Sequence, residues 1–267
     1  MSDDLTLPRI LCLHGAGTNA EIFHIQCRVI IARLKNKFRL VFADGFLEDD
    51  ADDAVLSVFG DFAPFKRWIS WRAKHEPLDP VATSQNIVKQ LTDAMEGDNG
   101  TGEWVGLLGF SQGGLISSSL LWAQDHIADE SKRPLPGINF RFGVIMAAPG
   151  PVVLIDRTGT VPRPRHVASA GEIVSKFTDF PEDNQEDETH LVTTPTLHVH
   201  GLRDHALREH RKLYKYYTKK EATTLMEWDG DHRVPIKSED ARRLVNGIIQ
   251  LAERAGMEFS PYDDDGW

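Results

Sequence analysis

Cysteine is almost missing from this chain: among 267 residues only Cys12 and Cys27 carry a thiol. Two thiols are too few for a disulfide framework, so reduced core thiols in an intracellular protein are the simplest expectation. Positive charge is also short, with 30 Lys and Arg against 40 Asp and Glu and a net charge of -10. That balance argues against a nucleic-acid partner, which needs a basic footprint. No apolar run approaches the roughly 20 residues of a membrane span, so no membrane partner is expected. Met-Ser-Asp-Asp at the start lacks the basic region and apolar core of a secretory signal, and a cytoplasmic location is the expectation. Internal repeats and long linkers are missing too. With 41% hydrophobic residues the chain can bury a large core, and residues 1–267 read as one α/β domain.

Short apolar runs alternate with amphipathic stretches, the pattern of a parallel sheet covered by helices on both faces. Strands are expected at 9–13, 39–43, 104–109, 142–147, 196–200 and 224–228, about six and mostly parallel. Helices are expected at 20–35, 84–95, 112–129 and 238–255, with one more between the last two strands. Residues 149–195 break the rhythm with several prolines and an acidic patch from Asp179 to Glu188. A connection this long is functional or mobile. Its place after the fourth strand suggests a lid-like insertion, a disordered surface insertion being the alternative.

The strongest local signal is Gly109-Phe110-Ser111-Gln112-Gly113-Gly114, preceded by an apolar strand and followed at once by a helix. A nucleophilic serine on a strand-to-helix turn needs strained dihedrals, and glycines on either side keep Cβ atoms out of the bend. The turn exposes the Ser111 hydroxyl at the carboxyl edge of the sheet and aims helix N–H groups at developing negative charge. This is the arrangement of an α/β-hydrolase fold, in which acid and histidine follow the serine in that order.

His232, in a polar turn after the last strand, is the expected base. Asp204, after the strand at 196–200, is the expected orienting acid. Asp229 and Asp231 are too near His232 in sequence to reach its far nitrogen and read as turn-formers. The loop Leu13-His14-Gly15-Ala16-Gly17-Thr18 closes the first strand, where this fold places its second oxyanion donor. The expected donors are the backbone N–H groups of Gln112 and Ala16, with Gly17 as rival to Ala16 and His14 as a brace. His198 and His200 alternate on a strand and face one side. Without a carboxylate or thiol at ligand spacing they read as a hydrogen-bonded structural pair. No metal and no cofactor are expected.

The segments 11–23, 108–113, 198–204 and 229–235, among them Leu-Cys-Leu-His-Gly-Ala-Gly, Leu-Gly-Phe-Ser-Gln-Gly, His-Val-His-Gly-Leu-Arg-Asp and Asp-Gly-Asp-His-Arg-Val-Pro, resemble the FSH family of serine hydrolases. The chain is similar above all to the fungal branch encoded beside polyketide synthases, through Ala63 to Trp68 and Glu227 to Pro235. Asp44-Gly45-Phe46 departs from that branch's Asp-Gly-Pro. The resemblance implies a thioesterase or esterase of polyketide biosynthesis, a secondary-metabolism enzyme releasing a polyketide from its carrier protein. Spacing alone implies only acyl transfer to water, so a carboxylesterase or deacylase acting on a small-molecule ester stays open. A non-catalytic synthase partner is the remaining alternative.

Phe62, Phe65, Trp68 and Trp71 fall in an irregular segment where they either line an acyl pocket or form a satellite core. Residues 203–220 are locally basic, with Arg203, Arg208, Arg211, Lys212, Lys215, Lys219 and Lys220. This stretch either docks an acidic carrier protein of a polyketide synthase or is a solvated helix face.

Overall fold

The computed structural model describes residues 4–183 and 187–259. The start of the chain at 1–3 and the middle of the acidic patch, 184–186, lie outside the described residues. In chain order the elements are β1 (Arg9–Leu13), α1 (Ala20–Gln26), α2 (Arg28–Leu34), β2 (Arg39–Ala43), β3 (Leu47–Glu48), α3 (Asp53–Phe59), β4 (Lys66–Arg67), α4 (Pro80–Glu96), β5 (Trp104–Phe110), α5 (Gln112–His126), β6 (Phe142–Met146), β7 (Val153–Leu154), β8 (Ala168–Ser169), β9 (Thr196–Gly201), α6 (Leu207–Tyr216), β10 (Thr223–Trp228) and α7 (Ser238–Arg254).

Six strands form one parallel sheet in the order β10-β9-β6-β5-β1-β2. The central strands are buried on both faces, which is why they read as continuous apolar runs. Alternation then sorts their side chains. Leu11, Leu13 and Leu107 pack on one face with Ile87 and Leu91 of α4 and Leu115 of α5, while Ile10, Cys12 and Leu108 pack on the other with Phe23, Ile30 and Leu244. Cys12 and Cys27 are free and buried. β2 lies on one side of β1 and β5 on the other. The strand order therefore reverses at β1 and β5, and a crevice opens beyond their carboxyl ends.

Helix starts follow their capping chemistry. The Asn19 side chain accepts from Ile22 N–H, and Asp79 accepts from Ala82 N–H one residue before Pro80. The helix expected at 20–35 is two helices, because Cys27 (ψ 3°) turns the chain between them. The unexpected elements are α3 and the two-residue strands β3, β4, β7 and β8, which are too short for periodicity to register. No helix among the described residues is long and apolar enough to cross a membrane.

The insertion at 149–195 is not a free flap. Val152, Val153, Ile155, Ala168 and Ala170 are fully buried and belong to the core on the α4 and α5 side. Its backbone is bonded inward as well: Val153 N–H donates to Ser119 Oγ at 2.8 Å, and the Thr189 carbonyl accepts from Trp122 Nε1 at 2.9 Å. A proline-rich stretch without amphipathic period can still form a core layer when its partners come from distant helices. Among the described residues it makes no hydrogen bond, ion pair or ring contact with Ser111, Asp204 or His232.

Candidate active site

β5 ends at Phe110 and α5 begins at Gln112, leaving Ser111 alone on the turn with φ 52° and ψ -119°. A side-chain-bearing residue in this region costs on the order of 1–3 kcal/mol, so its surroundings must hold it there. Ser111 N–H donates to the Met146 carbonyl at 2.8 Å, and its own carbonyl accepts from Gly114 and Leu115 N–H at 3.0 and 3.1 Å. The flanking glycines are obligatory on distance alone. A Cβ on Gly109 would stand 2.4 Å from the Gly113 carbonyl oxygen, and one on Gly113 would stand 2.1 Å from that of Leu13.

β9 and β10 are parallel neighbours, so the loops that follow them leave the sheet side by side. One carries Asp204 and the other His232. His232 Nδ1 donates to Asp204 Oδ2 at 2.7 Å, and its Nε2 lies 3.0 Å from Ser111 Oγ, placed to accept the hydroxyl proton. The Asp204 side chain is wholly buried, and its Oδ1 accepts from Ala206 N–H at 2.8 Å. Burial works to raise this carboxyl, but the His232 hydrogen bond and charge and the Ala206 N–H outweigh it and hold Asp204 below the usual carboxylate range. Asp229 and Asp231 turn away to Arg203 at 3.1 Å and to Arg233.

The loop after β1 approaches Ser111 closely: a Cβ on Gly15 would lie 3.2 Å from that of Ser111. Gly17 N–H is committed to the Lys66 carbonyl at 3.0 Å. Gly17 is thereby removed as an oxyanion donor. The N–H groups of Ala16 and Gln112 have no acceptor among the described residues. His14 braces the loop. Its Nδ1 donates to the Gly15 carbonyl at 2.7 Å and its Nε2 accepts from Gly45 N–H at 2.8 Å. Burial lowers its pKa to about 4, which keeps it neutral and able to accept. Gly45 cannot carry a side chain, since a Cβ would meet the Arg67 carbonyl oxygen at 2.6 Å.

Two contributors to this loop are invisible in the sequence. The Gln112 side chain reaches across to accept from Trp68 N–H at 2.6 Å, and Trp68 Nε1 donates to the His14 carbonyl at 2.9 Å. Trp68 is fully buried in the core. A pocket-lining role for Trp68 is thus corrected: with no exposed face it holds the loop instead of the substrate. Phe65 is also buried, its carbonyl accepting from Asp49 N–H at 2.9 Å, while Trp71 and Phe62 keep partly exposed rings.

His198 and His200 do face one side, and both pack on Tyr214, with ring centroids 5.5 and 6.1 Å away. They are not hydrogen-bonded, however, since neither has a partner for either ring nitrogen among the described residues. Burial keeps both neutral, His198 well below the usual histidine range and His200 at about 4. The strand period shows a shared face but not what covers it, and here that is an aromatic ring without an acceptor in reach.

The basic stretch is largely neutralised by partners within the chain. Arg211 pairs with Glu227 at 2.8 Å and Lys212 with Glu209 at 2.9 Å. Lys215 and Lys219 pair with Asp183 and Glu188 at 2.5 and 3.5 Å. The acidic patch of the insertion thus complements the basic stretch of α6 and the residues just after it.

Residues 1–244 match the serine hydrolase (FSH1) family. The chain is 43% identical to the esterase claE of Penicillium crustosum over 94% of its length and 95% of that protein's. It is 43% identical to the esterase pigG of Monascus ruber over 96% of both chains. Among solved structures it is similar in fold to Zea mays acyl-protein thioesterase 2, with a TM-score of 0.51 at 14% identity, covering 92% of this chain and 94% of that one. It is also similar to the Bacillus cereus carboxylesterase, with a TM-score of 0.50 at 13% identity, covering 93% and 91%. A serine turn at the crevice of a parallel sheet, and relatives matched almost end to end, lead to one assignment: the chain belongs to the serine hydrolase (FSH1) family and is a serine hydrolase with the α/β-hydrolase fold.

Proposed function

We propose that Ser111, His232 and Asp204 carry out acyl transfer to water, with the Ala16 and Gln112 N–H groups as the oxyanion hole. The observation that carries this reading is the continuous hydrogen-bonded line from Asp204 through both nitrogens of His232 to Ser111 Oγ, beside two N–H groups that have no acceptor. His232 takes the hydroxyl proton as Oγ attacks the acyl carbon, and Asp204 stabilises the imidazolium. The tetrahedral oxyanion lies against the two N–H groups, each donor lowering the barrier by roughly 3–4 kcal/mol. Collapse expels the thiol or alcohol, protonated by His232. Water then gives up a proton to the same imidazole, attacks the acyl-enzyme and releases the acid, restoring Ser111.

The acyl donor we propose is a carrier-bound thioester, a polyketide chain on its synthase, and the support is the likeness of the motifs at 63–68 and 227–235 to that branch. A free small-molecule ester is the second reading. It is favoured by the word esterase in the names of the relatives and by the ion pairs that occupy the basic stretch. Ser111→Ala should lower turnover by about 10⁶-fold and abolish labelling by a fluorophosphonate. Retained labelling would identify another nucleophile. Turnover of an acyl-pantetheine thioester against its oxygen ester separates the two donors, a strong oxygen-ester preference selecting the second.

A further inference from the structure

Asp204 is surrounded by histidines. Besides His232, the Nδ1 of His210 lies 3.7 Å from Asp204 Oδ2, and that of His205 lies 3.7 Å from Oδ1. His210, on α6, is wholly buried, and neither of its ring nitrogens has a hydrogen-bond partner among the described residues. An imidazole buried without a partner is costly, and the acyl-transfer cycle gives it no task. Ligand atoms of Asp204, His210 and His232 all lie within 4.8 Å of one another. Drawing these atoms closer together would set a cation about 2.0–2.2 Å from each.

We propose that Asp204, His210 and His232 form an inhibitory site for Zn²⁺ or a similar borderline-soft divalent ion, one that competes with the catalytic arrangement. Imidazole nitrogens with a single carboxylate suit zinc and disfavour Mg²⁺ or Ca²⁺, which take oxygen ligands. His205, its side chain 85% exposed, stands on the solvent side of the carboxylate and supplies the fourth ligand or the path of approach. His210 turns Nδ1 toward Asp204 and has no hydrogen bond to give up among the described residues. His198 and His200 continue the row of rings away from Asp204 and are not part of the set.

Occupation would stop the enzyme by moving one proton. In the catalytic arrangement His232 donates from Nδ1 to Asp204 and offers the Nε2 lone pair to Ser111. A metal on Nδ1 displaces the proton there, and Nε2 takes one up from solvent. Nε2–H then faces the serine hydroxyl, and no lone pair remains to accept its proton. The inhibitory effect rests on His232 being the base proposed above; metal binding itself does not.

The test uses the whole chain stripped with EDTA. Zn²⁺ should inhibit hydrolysis of a small p-nitrophenyl ester, EDTA should restore it, and Mg²⁺ at the same concentration should do nothing. Co²⁺ added to Ser111→Ala, which has no turnover to read, should give the intense visible bands of a low-coordinate cobalt site at one ion per chain. His210→Phe, or His210→Asn should the first fail to fold, should weaken both zinc inhibition and cobalt binding by roughly 10- to 100-fold, each variant compared with its own metal-free protein. Equal zinc inhibition in parent and His210 variants, or no cobalt bands, overturns the site. Cobalt bands with full activity in zinc overturn the inhibition.

Discussion

Two long connections leave the carboxyl edge of the sheet, residues 44–71 after β2 and residues 149–195 after β6; both send side chains into the core, but among the described residues only the first is hydrogen-bonded to the loop beside Ser111. The first is tied by hydrogen bonds to the loop beside Ser111, through Gly45 to His14, Lys66 to Gly17, Trp68 to His14 and Gln112 to Trp68. Between these ties it projects α3, which buries no residue and leaves Leu56 and Val58 exposed by 46% and 67%. The second has Val152 to Ile155 inside the core and its acidic end paired to Lys215 of α6 and to Lys219 just after it. Length and proline content suggest that the second connection governs the site. Hydrogen bonding joins the first one, instead, to the loop beside Ser111. Burial fixes a segment to the body of the protein, whereas these hydrogen bonds set the backbone of the loop next to Ser111.

This contrast breaks if substitutions in the two connections have the same effect. Trp68→Ala should have the largest, removing about 3–5 kcal/mol of stability in denaturant unfolding and also lowering kcat, since the ring fills core space and its N–H anchors the His14 carbonyl. A normal kcat in the folded fraction would show that the anchor is dispensable. Ile155→Ala should cost about 2–5 kcal/mol by the same measurement with kcat per folded molecule unchanged. A specific loss of kcat there would make 149–195 a working part of the site.

Acid should separate the connections next. His14 has its pKa lowered by burial to about 4, against an ordinary value of 6.5. Below pH 6.5 the unfolded chain binds a proton at this histidine that the folded chain refuses, so the folded state loses stability as pH falls. The loss is absent above pH 6.5, steepens to about 1.4 kcal/mol per pH unit, and levels off once pH passes below the folded value near 4. Replacing His14 with Asn should flatten that part of a thermal-melt pH profile; an unaltered profile would place the acid sensitivity in the other buried histidines. The smallest effect should come from Val58→Asp on α3, within about 0.5 kcal/mol in stability. A raised KM for long-chain acyl esters with an unchanged one for acetate would assign α3 to the acyl chain.

Much of the fold was legible because it is written in local period. β1 and β2 have their expected limits, and each strand of the main sheet falls where an apolar run predicts it. β3, β4, β7 and β8 were not legible, because two residues carry no period and their pairing depends on distant segments. At the site, Ser111, Asp204, His232, Ala16 and Gln112 were singled out by their positions after strands. The side-chain work of Gln112 and Trp68 was not, since a glutamine after a nucleophile and a tryptophan in a loop have no distinguishing pattern. The apolar pocket expected of Trp68 failed for the same reason, because aromatic content does not say which face is solvated.

By itself, then, the sequence determined that a serine would stand on a glycine-flanked strand-to-helix turn, and that acid and histidine loops would emerge at the same edge. Strand period, glycine spacing and parallel connection make those features local. The tertiary structure alone decided which N–H groups of the turn and loop around Ser111 lack an acceptor among the described residues, that Gly17 gives its own to Lys66, and that His210, not the His198 and His200 pair, faces the buried carboxylate. Each of those outcomes is a hydrogen bond made or withheld between residues far apart in the chain, and strand order, which no local pattern encodes, brings them together.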